Sequence, residues 1–276
     1  MSLLSEVRLL LQRYKVKPRK RLGQSFAIDR KFLEKMTEYG ELNQSDIVLD
    51  VGAGLGFLTE MLAEKAGEVI AVEVDENLII ALINHLSPFK NIKIIQGDIL
   101  KIDIPHFTKV VSNPPYSISS PLMFKLLLKK FDYGICTFQE DFARRLTAKT
   151  KEPDYGRLTV MTYYHADVQL LEHVSPRSFY PIPEVGSAIV RLTPRSPPFK
   201  VINEEFFSDL VRLLFTQRRR EVKKALKVFF NAKKIPKNEE SGLIDNLPFL
   251  KRRVETLEPE DFGELSNEIY IGMHVK

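Results

Sequence analysis

At 276 residues, with a net charge of +5 and a single cysteine, the chain has length for one large domain and a smaller one, and lacks a disulfide framework or cysteine metal site. No stretch approaches the ~18 apolar residues of a membrane span, and the basic start Met1–Lys20 has no apolar core with a cleavage site, so neither a membrane span nor a secretory signal is indicated. The charge is segregated: residues 1–31 carry net +7, residues 212–237 net +9 and the remainder −11, which suggests a polyanion partner.

Ser2–Leu11 has the pattern of an amphipathic turn or two. It leads into Arg13-Tyr14-Lys15-Val16-Lys17-Pro18-Arg19-Lys20-Arg21, where six of nine residues are basic and none is acidic. Such a stretch suits phosphates better than a core, so residues 1–21 read as a basic arm, with Arg19, Lys20 and Arg21 as phosphate contacts. Leu22–Asp29 reads as a loop and Arg30–Tyr39 as a helix. Ile47–Val51 is a buried-strand pattern running into Gly52-Ala53-Gly54-Leu55-Gly56 and then an amphipathic helix to Ala66. Glycines let the backbone approach a ligand, and a helix N-terminus favours polar groups there. The next strand, Glu68–Val72, ends at Glu73, 17 residues after Gly56, where a carboxylate can accept from both ribose hydroxyls. A third, Ile92–Gln96, ends in Gly97-Asp98, placed to accept from an adenine amine. A dinucleotide fingerprint wants glycine where Phe57 stands. The spacing suits S-adenosylmethionine (SAM), which has no pyrophosphate.

The fourth strand pattern, Val110–Ser112, runs into Asn113-Pro114-Pro115-Tyr116. Two prolines force the chain out of regular structure and leave its carbonyls free to face a cleft. Asn113 Oδ1 and the Pro114 carbonyl are acceptors beside the aromatic face of Tyr116, a set suited to a planar, amine-bearing ring. The chemistry indicated is methylation of an exocyclic amine such as adenine N6. That nitrogen needs no strong base, only acceptors that bond its N–H groups and favour a tetrahedral nitrogen. An ordinary strand-to-helix turn is the bland alternative. The series Gly52/54/56, Glu73, Asp98 and Asn113, each at a successive strand end, outweighs it.

Beyond this motif, Pro121–Lys130 reads as a helix, Tyr133–Gln139 as a strand and Asp141–Lys149 as a helix. Arg157–Tyr164 and Gly186–Leu192 read as the last strands of a doubly wound sheet. Between them, the proline-stiffened Pro176–Val185 presents Phe179 and Tyr180. Phe179 reads as a second stacking face for a base, with a place in the core as the alternative. After a linker at Pro194–Pro198, helices span Glu204–Thr216, Arg219–Phe230 and Pro259–Ile271. In the middle one Val222, Ala225, Leu226, Phe229 and Phe230 form an apolar stripe. Arg218, Arg219, Arg220, Lys223, Lys224 and Lys227 lie largely off it, which fits an RNA groove or backbone. The five histidines show no ligand spacing, so no metal is expected.

These segments resemble the KsgA/Dim family of small-subunit ribosomal RNA adenine N6,N6-dimethyltransferases over nearly the whole chain. The resemblance rests on Arg-Leu-Gly-Gln-Ser-Phe (21–26), Asp-Val-Gly-Ala-Gly-Leu-Gly (50–56), Asn-Pro-Pro-Tyr-Ser-Ile-Ser-Ser-Pro (113–121), Asp-Tyr-Gly-Arg-Leu-Thr-Val (154–160), Ser-Phe-Tyr-Pro-Ile-Pro-Glu-Val-Gly-Ser (178–187) and Phe-Thr-Gln-Arg-Arg-Arg (215–220). It implies a doubly wound, mostly parallel seven-stranded Rossmann-like α/β sheet over residues 22–194 and a small all-α RNA-binding domain over 195–276. The expected activity is transfer of methyls to two adjacent adenosines in a hairpin near the 3′ end of small-subunit rRNA, in the cytoplasm, by a monomer acting on the immature subunit. Carried over by motif, Gln24, Ser25, Ala27, Gly52, Gly54, Glu73, Asp98, Ile99 and Asn113 would contact SAM. Asn113, Pro114, Tyr116 and Phe179 would hold the adenine. Family members commonly have an aliphatic residue in place of Pro114 and asparagine in place of Ser25. The rivals are a large-subunit rRNA adenine methyltransferase of the antibiotic-resistance type, and an assembly factor whose main duty is binding the immature subunit.

Overall fold

The structure is a computed structural model that describes residues 2–19, 23–236, 242–244 and 246–274. The chain forms two compact units, residues 1–143 with 167–194, and residues 144–166 with 195–276.

The first unit is built on a seven-stranded sheet. Its strands are β2 (Ile47–Val51), β3 (Glu68–Glu73), β4 (Ile92–Gln96), β5 (Lys109–Ser112), β6 (Tyr133–Gln139), β7 (Ala166–Val174) and β9 (Ser187–Pro194), and their order across the sheet is β4-β3-β2-β5-β6-β9-β7. Strands β4 through β6 in that order pair in parallel, and β9 runs antiparallel to β6. β2 and β3 are buried over almost their whole length, as expected where both faces of a parallel sheet are covered. Side-chain caps start the helices: Asp29 accepts from Lys31 and Phe32 N–H at the head of α2 (Arg30–Tyr39), and Asp75 accepts from Asn77 and Leu78 N–H at the head of α4 (Glu76–Leu86). A two-stranded ribbon pairs β1 (Phe26–Ala27) with β8 (Phe179–Tyr180).

The structure corrects the sequence reading in three places. Within the expected arm of residues 1–21, residues 3–16 pack rather than extend freely. Ser2 caps a helix, α1 (Leu3–Arg13), whose Val7 and Leu11 bury in the same core as Val16, while Arg8 and Arg13 stay outside. The stripe of apolar residues outweighs the basic composition, because burying it removes more from water than the flanking charges cost. Arg157–Tyr164 is helical, α7 (Arg157–His165), and the edge strand beside β9 is Ala166–Val174 instead. Residues 158–162 and Tyr164 are all buried, and so continuous a buried run has too little periodicity to separate helix from strand. The cut at Pro194 also needs amending, since Arg144–Ala166 belongs with the second unit.

That second unit packs α7 with α8 (Glu204–Phe215), α9 (Val222–Ala232) and the helix Pro259–His274. The α9 stripe of Val222, Ala225, Leu226, Phe229 and Phe230 is fully buried. Among the described residues, no helix is long and apolar enough to cross a membrane.

Candidate active site

The parallel register brings the C-terminal ends of neighbouring strands level, with Val51 opposite Val72 and Glu73 opposite Gln96. The loops that leave these strand ends therefore meet in one cavity. Gln24, Ser25, Ala27, Gly52, Gly54, Glu73, Asp98, Ile99, Asn113, Pro114 and Tyr116 all line it.

Two loops close on each other at its centre. Gly52 has φ +72°, and its N–H donates to Val72 O at 2.8 Å. A Cβ at Gly52 would lie 2.6 Å from Pro115 Cδ, so only glycine lets the turn after β2 press against the loop after β5.

Three carboxylates line the cavity, and among its described lining residues there is no Lys, Arg or His. Glu73 is 6% exposed. Its oxygens accept from the N–H groups of Gly54 (3.0 Å), Val74 (2.8 Å) and Asp75 (3.0 Å). Burial pushes its pKa up, and these three donors oppose that shift. Asp98 accepts from Leu100 N–H at 3.0 Å, which fixes the turn after β4. The third, Asp50, is missing from the sequence reading. It is 1% exposed and accepts from the Thr59 hydroxyl at 2.7 Å. The signal for it is a carboxylate inside an otherwise apolar strand, two residues before the first glycine of the turn. Glu73 and Asp98 suit a cationic ligand and disfavour a pyrophosphate.

Burial raises the Asp50 pKa to about 7. The unfolded chain releases this proton near its ordinary value of about 3.9. Between those pH values the folded protein holds the extra proton, so stability falls as pH rises. Asp50→Asn should therefore gain in melting temperature relative to wild type from pH 5 to pH 8. A difference that stays constant over that range would show that Asp50 is ionised throughout.

Asn113 Oδ1 is buried with no hydrogen-bond partner among the described residues. A buried acceptor left unpaired costs about 1–3 kcal/mol, so it needs an explanation. Tyr116 donates to or accepts from Ser187 Oγ at 2.7 Å, and burial pushes its phenol pKa up, keeping it neutral. The Ser25 hydroxyl donates to Pro181 O at 2.7 Å, so toward a ligand it can only accept. Gln24 Oε1 accepts from Arg19 N–H at 2.9 Å.

Phe179 does not line the cavity. It is 0% exposed, edge-on to Phe32 (centroids 5.3 Å apart) and to Tyr116 (6.4 Å), within the core of the first unit. Pairing of β1 with β8 turns its ring inward, so the core alternative replaces the stacking assignment.

The basic residues also divide. Arg218 is held internally: it donates to Glu255 Oε2 (3.2 Å), Pro153 O (2.7 Å) and Glu152 O (3.3 Å). Arg219, Arg220, Lys223, Lys224 and Lys227 are exposed, with Lys224 3.3 Å from Glu221. Backbone bonds from Val222 N–H to Arg252 O (2.8 Å) and from Val254 N–H to Arg220 O (3.0 Å) bring the exposed Lys251 and Arg253 beside them. No sequence spacing announces that pairing. Arg19 is exposed and lies 3.7 Å from Asp75, while Lys20 and Arg21 are outside the described residues.

This sheet order, with its glycine turn, acidic second strand end and Asn-Pro-Pro-Tyr loop, defines a Rossmann-like, SAM-dependent methyltransferase. A family model described as ribosomal RNA adenine dimethylase matches residues 15–269, and the chain belongs to that family of rRNA adenine methyltransferases. It is 42% identical over 266 residues to a Methanosarcina acetivorans protein named "Probable ribosomal RNA small subunit methyltransferase A", covering 96% of this chain and 98% of that one. The Pyrococcus furiosus protein of the same name is 40% identical over 264 residues, 95% of each chain. Among solved structures, a dimethyladenosine transferase from Plasmodium falciparum matches with TM-score 0.76 and 27% identity, covering 90% of this chain and 98% of that one. The 23S rRNA methyltransferase ErmE matches with TM-score 0.64 and 30% identity, covering 89% and 99%.

Proposed function

We propose that this enzyme methylates N6 of two adjacent adenosines in a hairpin near the 3′ end of small-subunit rRNA, acting as a cytoplasmic monomer on the immature subunit. The observation that carries the reading is the buried, unpaired Asn113 Oδ1 in an acid-lined cavity. The fit to SAM rests on that lining: Glu73 has acceptor capacity left for ribose hydroxyls, and Asp98 and Ile99, which also line the cavity, are the groups we assign to the purine edge. SAM, when bound, supplies a methyl group on a sulfonium. Asn113 Oδ1 and the Pro114 carbonyl accept the two N–H groups of the target amine, holding its lone pair out of the ring plane. The Tyr116 ring carries one face of the base, oriented by its bond to Ser187. The names of the Methanosarcina and Pyrococcus relatives favour the small subunit, and the likeness to ErmE keeps large-subunit rRNA as the competing substrate. Mapping dimethylated adenosines in both rRNAs, with and without the protein, decides between them. Methylation confined to large-subunit rRNA would refute the proposal.

The exposed cations of the second unit supply affinity without reading sequence. Changing Arg219, Lys223 and Lys227 to Glu should weaken RNA binding. It should also flatten the salt dependence by roughly 0.7–0.9 in log–log slope for each phosphate that is no longer neutralised. SAM affinity should not change. A wild-type slope in the triple variant would take α9 off the RNA path.

A further inference from the structure

With Phe179 assigned to the core, the proline-rich segment after it has no role in the chemistry above, although its geometry ties it to the cavity at both ends. On one side the Pro181 carbonyl accepts from Ser25, a cavity-lining residue, at 2.7 Å. On the other, Ser187 Oγ is 2.7 Å from the hydroxyl of Tyr116, also in the lining. Ile28 N–H donates to Ser178 O (2.8 Å), the Ser178 hydroxyl donates to Asp29 (3.0 Å), and Glu140 N–H donates to Gly186 O (3.0 Å), pinning the approach and the exit. The span between these anchors is Pro181-Ile182-Pro183-Glu184-Val185-Gly186. Pro181 and Pro183 have fixed φ, and Ile182, which precedes a proline, is confined to extended backbone. Bonded on both sides to cavity-lining residues, then, a conformationally restricted loop carries a β-branched aliphatic side chain that is 65% exposed.

Singly exposed aliphatic side chains are ordinary; what sets Ile182 apart is its place on a proline-fixed loop bonded on both sides to cavity-lining residues. Resting on the reading that the cavity takes an adenine from RNA, its partner is determined by what that adenine leaves behind. A base that swings out of a hairpin stack leaves an apolar gap between its neighbours, and unstacking costs a few kcal/mol. Proteins that unstack nucleic acid use Ile, Leu, Phe, Met or Pro as wedges for such steps. We infer that Ile182 is a wedge that enters the stack of the RNA hairpin and fills the space vacated by the target adenosine. It acts as a positioning residue and touches neither the cofactor nor the reacting amine.

The test compares Ile182→Ala and Ile182→Leu with wild type on two RNAs, the structured hairpin and an unstructured oligomer of the same sequence around the target. Two readouts are used: single-turnover methylation, and the fluorescence of 2-aminopurine placed next to the target adenosine. On the hairpin, Ile182→Ala should be slower by roughly tenfold and should lose most of the fluorescence rise on binding. On the unstructured RNA it should match wild type. Ile182→Leu should stay close to wild type on both, and SAM affinity and melting temperature should not move. An equal loss on both RNAs, or an unchanged fluorescence rise in Ile182→Ala, overturns the wedge. Failure of wild type to methylate adenosine in either RNA would instead bring down the reading of the cavity, which separates the two.

Discussion

Replacing Asn113 by alanine should lower single-turnover methylation by ~10²–10³, the usual loss for one pre-positioned group facing a developing charge. SAM affinity should be largely kept, because Gln24, Ser25, Glu73 and Asp98 still line the cavity in the variant. The same substitution should leave the melting temperature unchanged or raise it. Asn113 Oδ1 is buried without a partner, so removing it relieves a desolvation cost of about 1–3 kcal/mol in the free enzyme. Loss of rate without loss of stability is the pattern of a residue kept for its ligand. Near-normal turnover, with calorimetric SAM titration unaltered, would take Asn113 out of the mechanism.

The second large effect is expected at Phe179, and it is of the opposite kind. Phe179→Ala should cost ~3–5 kcal/mol in urea unfolding, since it empties a fully buried ring site between Phe32 and Tyr116. Phe179→Leu should cost less, because it keeps much of the volume. The remaining activity of folded Phe179→Ala should also fall, as Tyr116 is deprived of the ring edge that backs it. An alanine variant as stable as wild type would show that the ring does not support the core.

Much of the site was readable from sequence, because parallel strands deliver their ends to one edge and each end here carries a distinctive residue. Glu73, Asp98 and Asn113 each come at or just after a short apolar run, so strand and function share one local signal. Asp50 sits inside such a run rather than at its end, so its signal is a lone carboxylate among apolar neighbours and not a place at a strand tip. Phe179 misleads because a proline-braced aromatic presented to a ligand and one turned into a core have the same sequence. Only the pairing of Phe179–Tyr180 with Phe26–Ala27, at the far end of the chain, separates them. The same holds for Lys251 and Arg253, whose place beside Arg220 depends on backbone bonds between distant segments. Patterns with a period are local and can be read along the chain, whereas which face of an unpatterned segment is covered is decided by its partners.

The interleaving of the two units bears on how the protein is made. The chain leaves the first unit at Ala143, contributes residues 144–166 to the second, and returns for 167–194 before finishing the second. A ribosome delivers the chain from its N-terminus at roughly 5–20 residues per second. The first unit therefore cannot close its sheet until Pro194 has emerged, because β9 lies between β6 and β7. Until then β6 keeps an edge of unpaired backbone N–H and C=O groups, a ready template for pairing with another nascent chain. Neither unit can be released whole by a single cut, and translation arrested between residues 143 and 194 should yield insoluble protein rather than a smaller folded domain.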